Sequence, residues 1–100
     1  MGVAVNDEIR QRGIILDELR AQLLDGTVSM GDAVKRLRTE ITGLRQEQFA
    51  KMCKISLRTL RQLEQNEGNP TVQTLNAVFR PFGMQVGIIP LQRRPAATIS

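Results

Sequence analysis

The sequence has no histidine, tryptophan or tyrosine, one cysteine and three phenylalanines in 100 residues. Without histidine there is neither a Cys–His nucleophile pair nor a Ser–His–Asp triad. A structural zinc site needs about four Cys or His ligands and is excluded in practice. A lone cysteine cannot close a disulfide within the chain, which fits a reducing cytosol. Cys53 falls at an apolar position before a turn and reads as core. There is no glycine-rich phosphate loop, and the adjacent carboxylates of Asp17 and Glu18 diverge on a helix, which suits solvent better than acid–base work. The expectation is a protein with no metal, no cofactor and no enzymatic activity. The longest apolar run is far short of a membrane span. The first residues are acidic and amphipathic rather than a charged stretch followed by an apolar one, so no secretory signal is evident. The expected location is cytoplasmic, in association with the bacterial nucleoid.

What is present is an ordinary apolar share of 41%, enough for one small domain with an appended element. With so few aromatics the core must be built from Leu, Ile, Val, Met and Phe. Small aliphatic cores give modest stability, which dimerisation commonly supplements. The net charge is +4, and its distribution says more than its size. Between Asn6 and Asp32 lie six acids and three bases; between Lys35 and Arg61 lie eight bases and only the acids Glu40 and Glu47. A polyanion is the natural partner of the second segment.

The apolar spacing predicts a helix over Asp7–Leu24, with Ile9, Ile14, Leu16, Leu19, Leu23 and Leu24 mostly on one stripe. Gly13 weakens it by about 1 kcal/mol relative to alanine, so the helix is expected to start properly after that residue. Asp25 and Gly26 stop it. Ser29 offers a helix cap with Asp32 at the third position, and the helix it starts runs to about Ile41, with Ala33, Val34, Leu37 and Ile41 inward and Gly43 at its end. Gln46–Cys53 forms a short helix with Phe49, Ala50 and Cys53 inward. Lys54 and Ile55 make a turn. Ser56 caps a helix to about Gln65 whose inward residues are Leu60 and Leu63. Asn66–Pro70 is a loop rich in turn formers. Thr71 caps a last helix with Val72, Leu75, Val78 and Phe79 as its buried stripe, stopped by Pro81 and Gly83. Met84–Ile89 then alternates with strand period. A lone strand cannot stand in water, and no other strand is evident, so the simplest partner is the same strand of a second subunit related by a two-fold axis.

The pair of short helices over Leu44–Glu64 has the form needed to hold a helix in the major groove of DNA. The residues Leu44-Arg-Gln-Glu-Gln-Phe-Ala50, Ile55-Ser56, Thr59-Leu60, Leu63-Glu64 and Asn69-Pro70-Thr71 resemble the Xre-type helix-turn-helix of the lambda-repressor and Cro class, over roughly Met30 to Gly83. Leu63 to Leu75, followed by Phe82 to Ile88, is similar to HipB-like antitoxins, in which the last helix leads into a short strand paired across a dimer. The expected fold is mainly α: the resemblance implies a five-helix-type, lambda-repressor-like DNA-binding domain and a short C-terminal β-strand pairing across a dimer, and the helix read from periodicity before it is an extra N-terminal one outside the matched motif. The resemblance also implies a repressor of its own operon that binds a HipA-type kinase toxin. The alternative is a phage-type repressor or restriction-modification controller with no toxin partner. The chain divides accordingly into an N-terminal helical extension (1–28), a DNA-binding domain (29–83), a dimerisation strand (84–91, through Met84, Val86 and Ile88) and a flexible tail (92–100). Two positions depart from the family pattern. Lys54 stands where the turn usually has glycine, and Arg45 stands where the helix cap is usually Ser or Thr.

Arg58 and Gln62 lie four apart and so share one face of the second helix. Arg can fork onto guanine O6 and N7, and Gln can do the same to adenine. Leu57 either touches a thymine methyl or packs against the neighbouring helix. Leu57, Arg58 and Gln62 are the expected base contacts on a palindromic double-stranded operator. Arg45, Gln46, Lys54, Thr59 and Arg61 surround them as expected phosphate contacts, Gln46 having the added benefit of a helix N-terminus. Glu64 is an acid close to this surface and is expected to pair with Arg38. The amphipathic N-terminal helix either offers a partner a surface or packs on its own domain or dimer mate.

Overall fold

The computed structural model describes residues 2–91, with side chains from Asp7 onward. The tail over 92–100 lies outside the described residues. Five α-helices follow one another: α1 (Gly2–Asp25), α2 (Met30–Arg36), α3 (Gln46–Cys53), α4 (Leu57–Glu64) and α5 (Val72–Phe79). A π-helical turn, Leu37–Thr42, prolongs α2, and a 3-10 turn, Arg80–Phe82, prolongs α5. The N-terminal helix is thus the first of five rather than an addition to five, because Pro81 leaves only a single tight turn after α5.

Hydroxyl caps set three of the helix starts. Ser29 Oγ accepts from Asp32 N at 3.1 Å, Ser56 Oγ from Thr59 N at 3.0 Å and Thr71 Oγ1 from Thr74 N at 3.0 Å. Each satisfies an amide that the helix cannot. At α3 the cap residue Arg45 has no acceptor to offer. Only the reverse half of a capping box forms there, with Arg45 N donating to Gln48 Oε1 at 3.2 Å.

The core gathers Leu19 of α1, Ala33, Val34 and Leu37 of α2 and its extension, Phe49, Ala50 and Cys53 of α3, Leu60 and Leu63 of α4, and Val78, Phe79 and Phe82. The rings of Phe49 and Phe82 stack with centroids 6.2 Å apart, tying α3 to the turn after α5. Gly31 lets α2 come against the end of α4: a Cβ there would lie 2.5 Å from the Leu63 carbonyl oxygen. Asn66, in the left-handed region at φ 57°, seals the same contact. Its Oδ1 accepts from Gly31 N at 2.8 Å and its Nδ2 donates to Ser29 Oγ at 3.2 Å.

Three expectations change. Helix α1 runs straight through Gly13, since the half anchored on the core nucleates a helix that propagates cheaply. Of its expected stripe, only Leu19 is buried and Leu16 and Leu23 pack against the core, joined by Ile15; Ile9, Ile14 and Leu24 are exposed because the core does not extend beneath them. Val72, in the first turn of α5, is 58% exposed rather than buried.

No strand forms among the described residues. Residues 84–91 belong to no helix or strand, and the start of this segment is tied to α5. Met84 N donates to Phe79 O at 3.2 Å and Val86 N to Asn76 Oδ1 at 2.7 Å. Met84 and Val86 are half-buried by these contacts, whereas Ile88 is fully exposed.

Candidate nucleic-acid interface

Helix α3 ends in Lys54, which takes a left-handed conformation at φ 59° and ψ 43°. Ile55 N then donates back to Ala50 O at 3.0 Å, the closing bond of a Schellman turn. A residue with a Cβ is strained there by about 1 kcal/mol or more. The turn delivers the chain to Ser56, whose cap starts α4. Leu60, Leu63 and Glu64 of α4 point into the protein, leaving Arg58 and Arg61 exposed and Leu57, Thr59 and Gln62 partly so.

Glu64 is the acid of this surface, and the expected partner holds it. Arg38 forks onto it, with Nε donating to Oε2 at 2.6 Å and Nη2 to Oε1 at 2.9 Å, while Nη1 donates to Leu44 O at 3.1 Å. Gln46 Nε2 adds a third donor to Glu64 Oε1 at 3.1 Å. Burial, which leaves the Glu64 side chain 4% accessible, pushes its pKa up more than any other single influence. The hydrogen bonds from Arg38 and Gln46, with the charges of Arg38 and Lys35, outweigh it, and the carboxyl is held below its ordinary range. The same pair raises the pKa of Arg38.

The ion pairs decide what the basic segment offers to a partner. Of its eight bases, Arg36 is paired with Glu40 at 2.8 Å and Arg38 with Glu64. The other six, Lys35, Arg45, Lys51, Lys54, Arg58 and Arg61, are exposed and make no ion pair among the described residues. Positive charge left unneutralised and hydrated is what a polyanion meets favourably.

The expected contact residues fall into a connected arrangement. Arg45 and Gln46 begin α3, Lys54 ends it, and Arg61 of α4 reaches Gln46, its Nε donating to Gln46 Oε1 at 3.4 Å. Thr59 shares a hydrogen bond with the Ser56 hydroxyl at 2.7 Å. Gln62 leans toward the loop after α4: its Oε1 lies 3.4 Å from where a Cβ of Gly68 would be. With Thr59, Glu67, Asn69 and Thr71 it lines a cleft of about 150 Å³ beside the exposed face. The loop reads as mere turn chemistry in the sequence; that it flanks Gln62 follows only from the left-handed turn at Asn66, where Glu67 N donates to Gln62 O at 2.8 Å.

Two short helices, a three-residue turn and an exposed cationic second helix supply the geometry of a DNA-reading unit. The pattern of the helix-turn-helix family matches residues 34–88, more than half of the chain. The chain belongs to the Xre-like helix-turn-helix family. No curated protein and no solved structure matches it significantly. Members of this family are sequence-specific DNA-binding regulators, so the Xre-like unit and its unpaired bases account for each other. The match begins inside α2 and continues beyond Gly83 into the extended segment. Among the described residues, no helix is long and apolar enough to cross a membrane.

Proposed function

We propose that the protein is a transcriptional repressor that binds a palindromic operator as a homodimer. The Xre-like domain spans 29–83, Leu57, Arg58 and Gln62 read base edges, and Arg45, Gln46, Lys54, Thr59 and Arg61 hold the phosphates on either side. The observation that carries the reading is the exposed α4 face, with Arg58 and Arg61 unpaired beside a buried, neutralised Glu64. Dimerisation runs through Met84, Val86 and Ile88. Its support is a segment in which Ile88 is fully exposed and whose strand-like alternation in sequence meets no strand among the described residues. Work at the nucleoid in the cytoplasm follows from this function.

Sequencing the duplexes that the purified protein retains from a random pool tests this. Enrichment of an inverted repeat is the expected result. Uniform retention of all sequences would sink the claim of sequence-specific repression.

The finer role is that of an antitoxin which represses its own operon and binds a HipA-type kinase toxin, supported by the HipB-like run from Leu63 into Ile88. A kinase-like reading frame beside the gene, and a stable complex when the two proteins are co-expressed, are expected. A gene standing alone, with an operator elsewhere, points instead to a phage-type repressor or restriction-modification controller.

A further inference from the structure

The interface contains a chain of hydrogen bonds that runs from a buried charge to an exposed one. Arg38 grips Glu64, Glu64 accepts from Gln46 Nε2, and Gln46 Oε1 accepts from Arg61 Nε. The order of these partners follows from chemistry. An ionised carboxylate only accepts, so Gln46 must turn its amino end toward Glu64. Its carbonyl then faces the other way, and the group it meets is the Nε–H of Arg61. Arginine donates only, so this match has one orientation. With Nε occupied, the two terminal nitrogens of Arg61 remain as a parallel pair of donors, the geometry that forks onto a phosphate.

We infer that Glu64 and Gln46 are positioning residues for Arg61: the buried carboxylate fixes the orientation of the Gln46 amide, and that amide aims the Arg61 guanidinium at the DNA backbone. Arg61 makes the phosphate contact; Gln46 contributes to affinity mainly through it. Arg38, held by both Glu64 and the Leu44 carbonyl oxygen, keeps the carboxylate ionised and in place at the junction of α3 and α4. The inference rests on the reading that this surface binds DNA, and it redefines what Gln46 does there.

The test is a double-mutant cycle on the full chain, measured by fluorescence anisotropy with a mixed-sequence DNA duplex over a series of salt concentrations. Gln46→Met keeps the side-chain shape and removes both ends of the amide; Arg61→Ala removes the phosphate donor. Gln46→Met is expected to weaken binding roughly three- to tenfold in the wild-type background and to lower the salt slope as Arg61→Ala does. In the Arg61→Ala background it should have almost no further effect. An undiminished loss there overturns the inference and makes Gln46 a contact in its own right. A second readout needs no DNA. The Arg61 Nε–H resonance should exchange with water more slowly than that of Arg58, and Gln46→Met should abolish the difference. Equal exchange of Arg58 and Arg61 in the wild type also overturns the inference. If the wild-type chain bound no duplex at any salt concentration, the DNA-binding reading itself would fail, a result distinct from either of these.

Discussion

Arg58 and Arg45 carry the same charge and are both exposed, yet their places differ. Arg58 sits in the first turn of α4, and Arg45 sits before the first turn of α3. Arg58→Ala should cost about 1–3 kcal/mol on the selected operator and relax base preference at one position. Arg45→Ala should weaken every duplex alike and reduce the salt slope by about one. Equal losses on operator and random DNA for both variants would reject the assignment. Glu64 gives a second residue-scale outcome. Its pKa is lower in the folded chain than in the unfolded one, so its pairing stabilises fully above the ordinary carboxylate range. That stability disappears as pH falls through the depressed value. Glu64→Ala leaves Arg38 buried without its partner and should cost about 3–5 kcal/mol in urea unfolding at neutral pH, with a much smaller difference from wild type in acid. Lys54→Gly relieves a left-handed Cβ and should add about 0.5–1 kcal/mol of stability while lowering DNA affinity, a pair of opposite signs measurable on one sample.

Among the elements, the contact between α2 and α4 is set by one missing side chain. Gly31→Ala places a Cβ 2.5 Å from a backbone carbonyl oxygen, which no rotamer change can relieve. It should destabilise the domain by about 1–3 kcal/mol in thermal or urea unfolding. Nothing in the sequence around Gly31 announces this contact, because a glycine one residue into a helix after Ser29 reads as a simple weakening of that helix. The legible parts were those governed by local chemistry. Ser29, Ser56 and Thr71 are hydroxyl residues placed just before apolar helical patterns, and the left-handed turn at Lys54 follows from its standing at the position where the family usually has glycine. Glu64 and Arg38 could be paired because an unpaired acid close to a phosphate-binding surface is unfavourable. What was not legible depends on how far a neighbour reaches. Periodicity tells which face of α1 is apolar but not that the core stops short of Ile9, Ile14 and Leu24, nor that Val72 lies beyond its edge. The Gln46 bridge was hidden for a related reason: its partners come from three different elements, and no spacing brings them together.

At the scale of the whole molecule, Ile88 allows the proposed dimer to be tested without touching the fold, since it is fully exposed and outside the core. Ile88→Asp should leave the helical circular-dichroism spectrum and melting behaviour of the domain intact. Sedimentation should then show the mass of a monomer where the wild type shows a dimer, and the half-site spacing of the operator should cease to matter. A monomeric wild type would reject pairing through this segment.

Part of the backbone of residues 84–91 is already in use. The amides of Met84 and Val86 are already taken by Phe79 O and Asn76 Oδ1. The first of these bonds closes the turn at Gly83 and the second ties Val86 to α5, so these two amides are not free for a partner. A growing sheet needs free backbone groups on both sides of each strand, so in the proposed dimer one asparagine side chain and one helix-end carbonyl withhold two amides from any further chain.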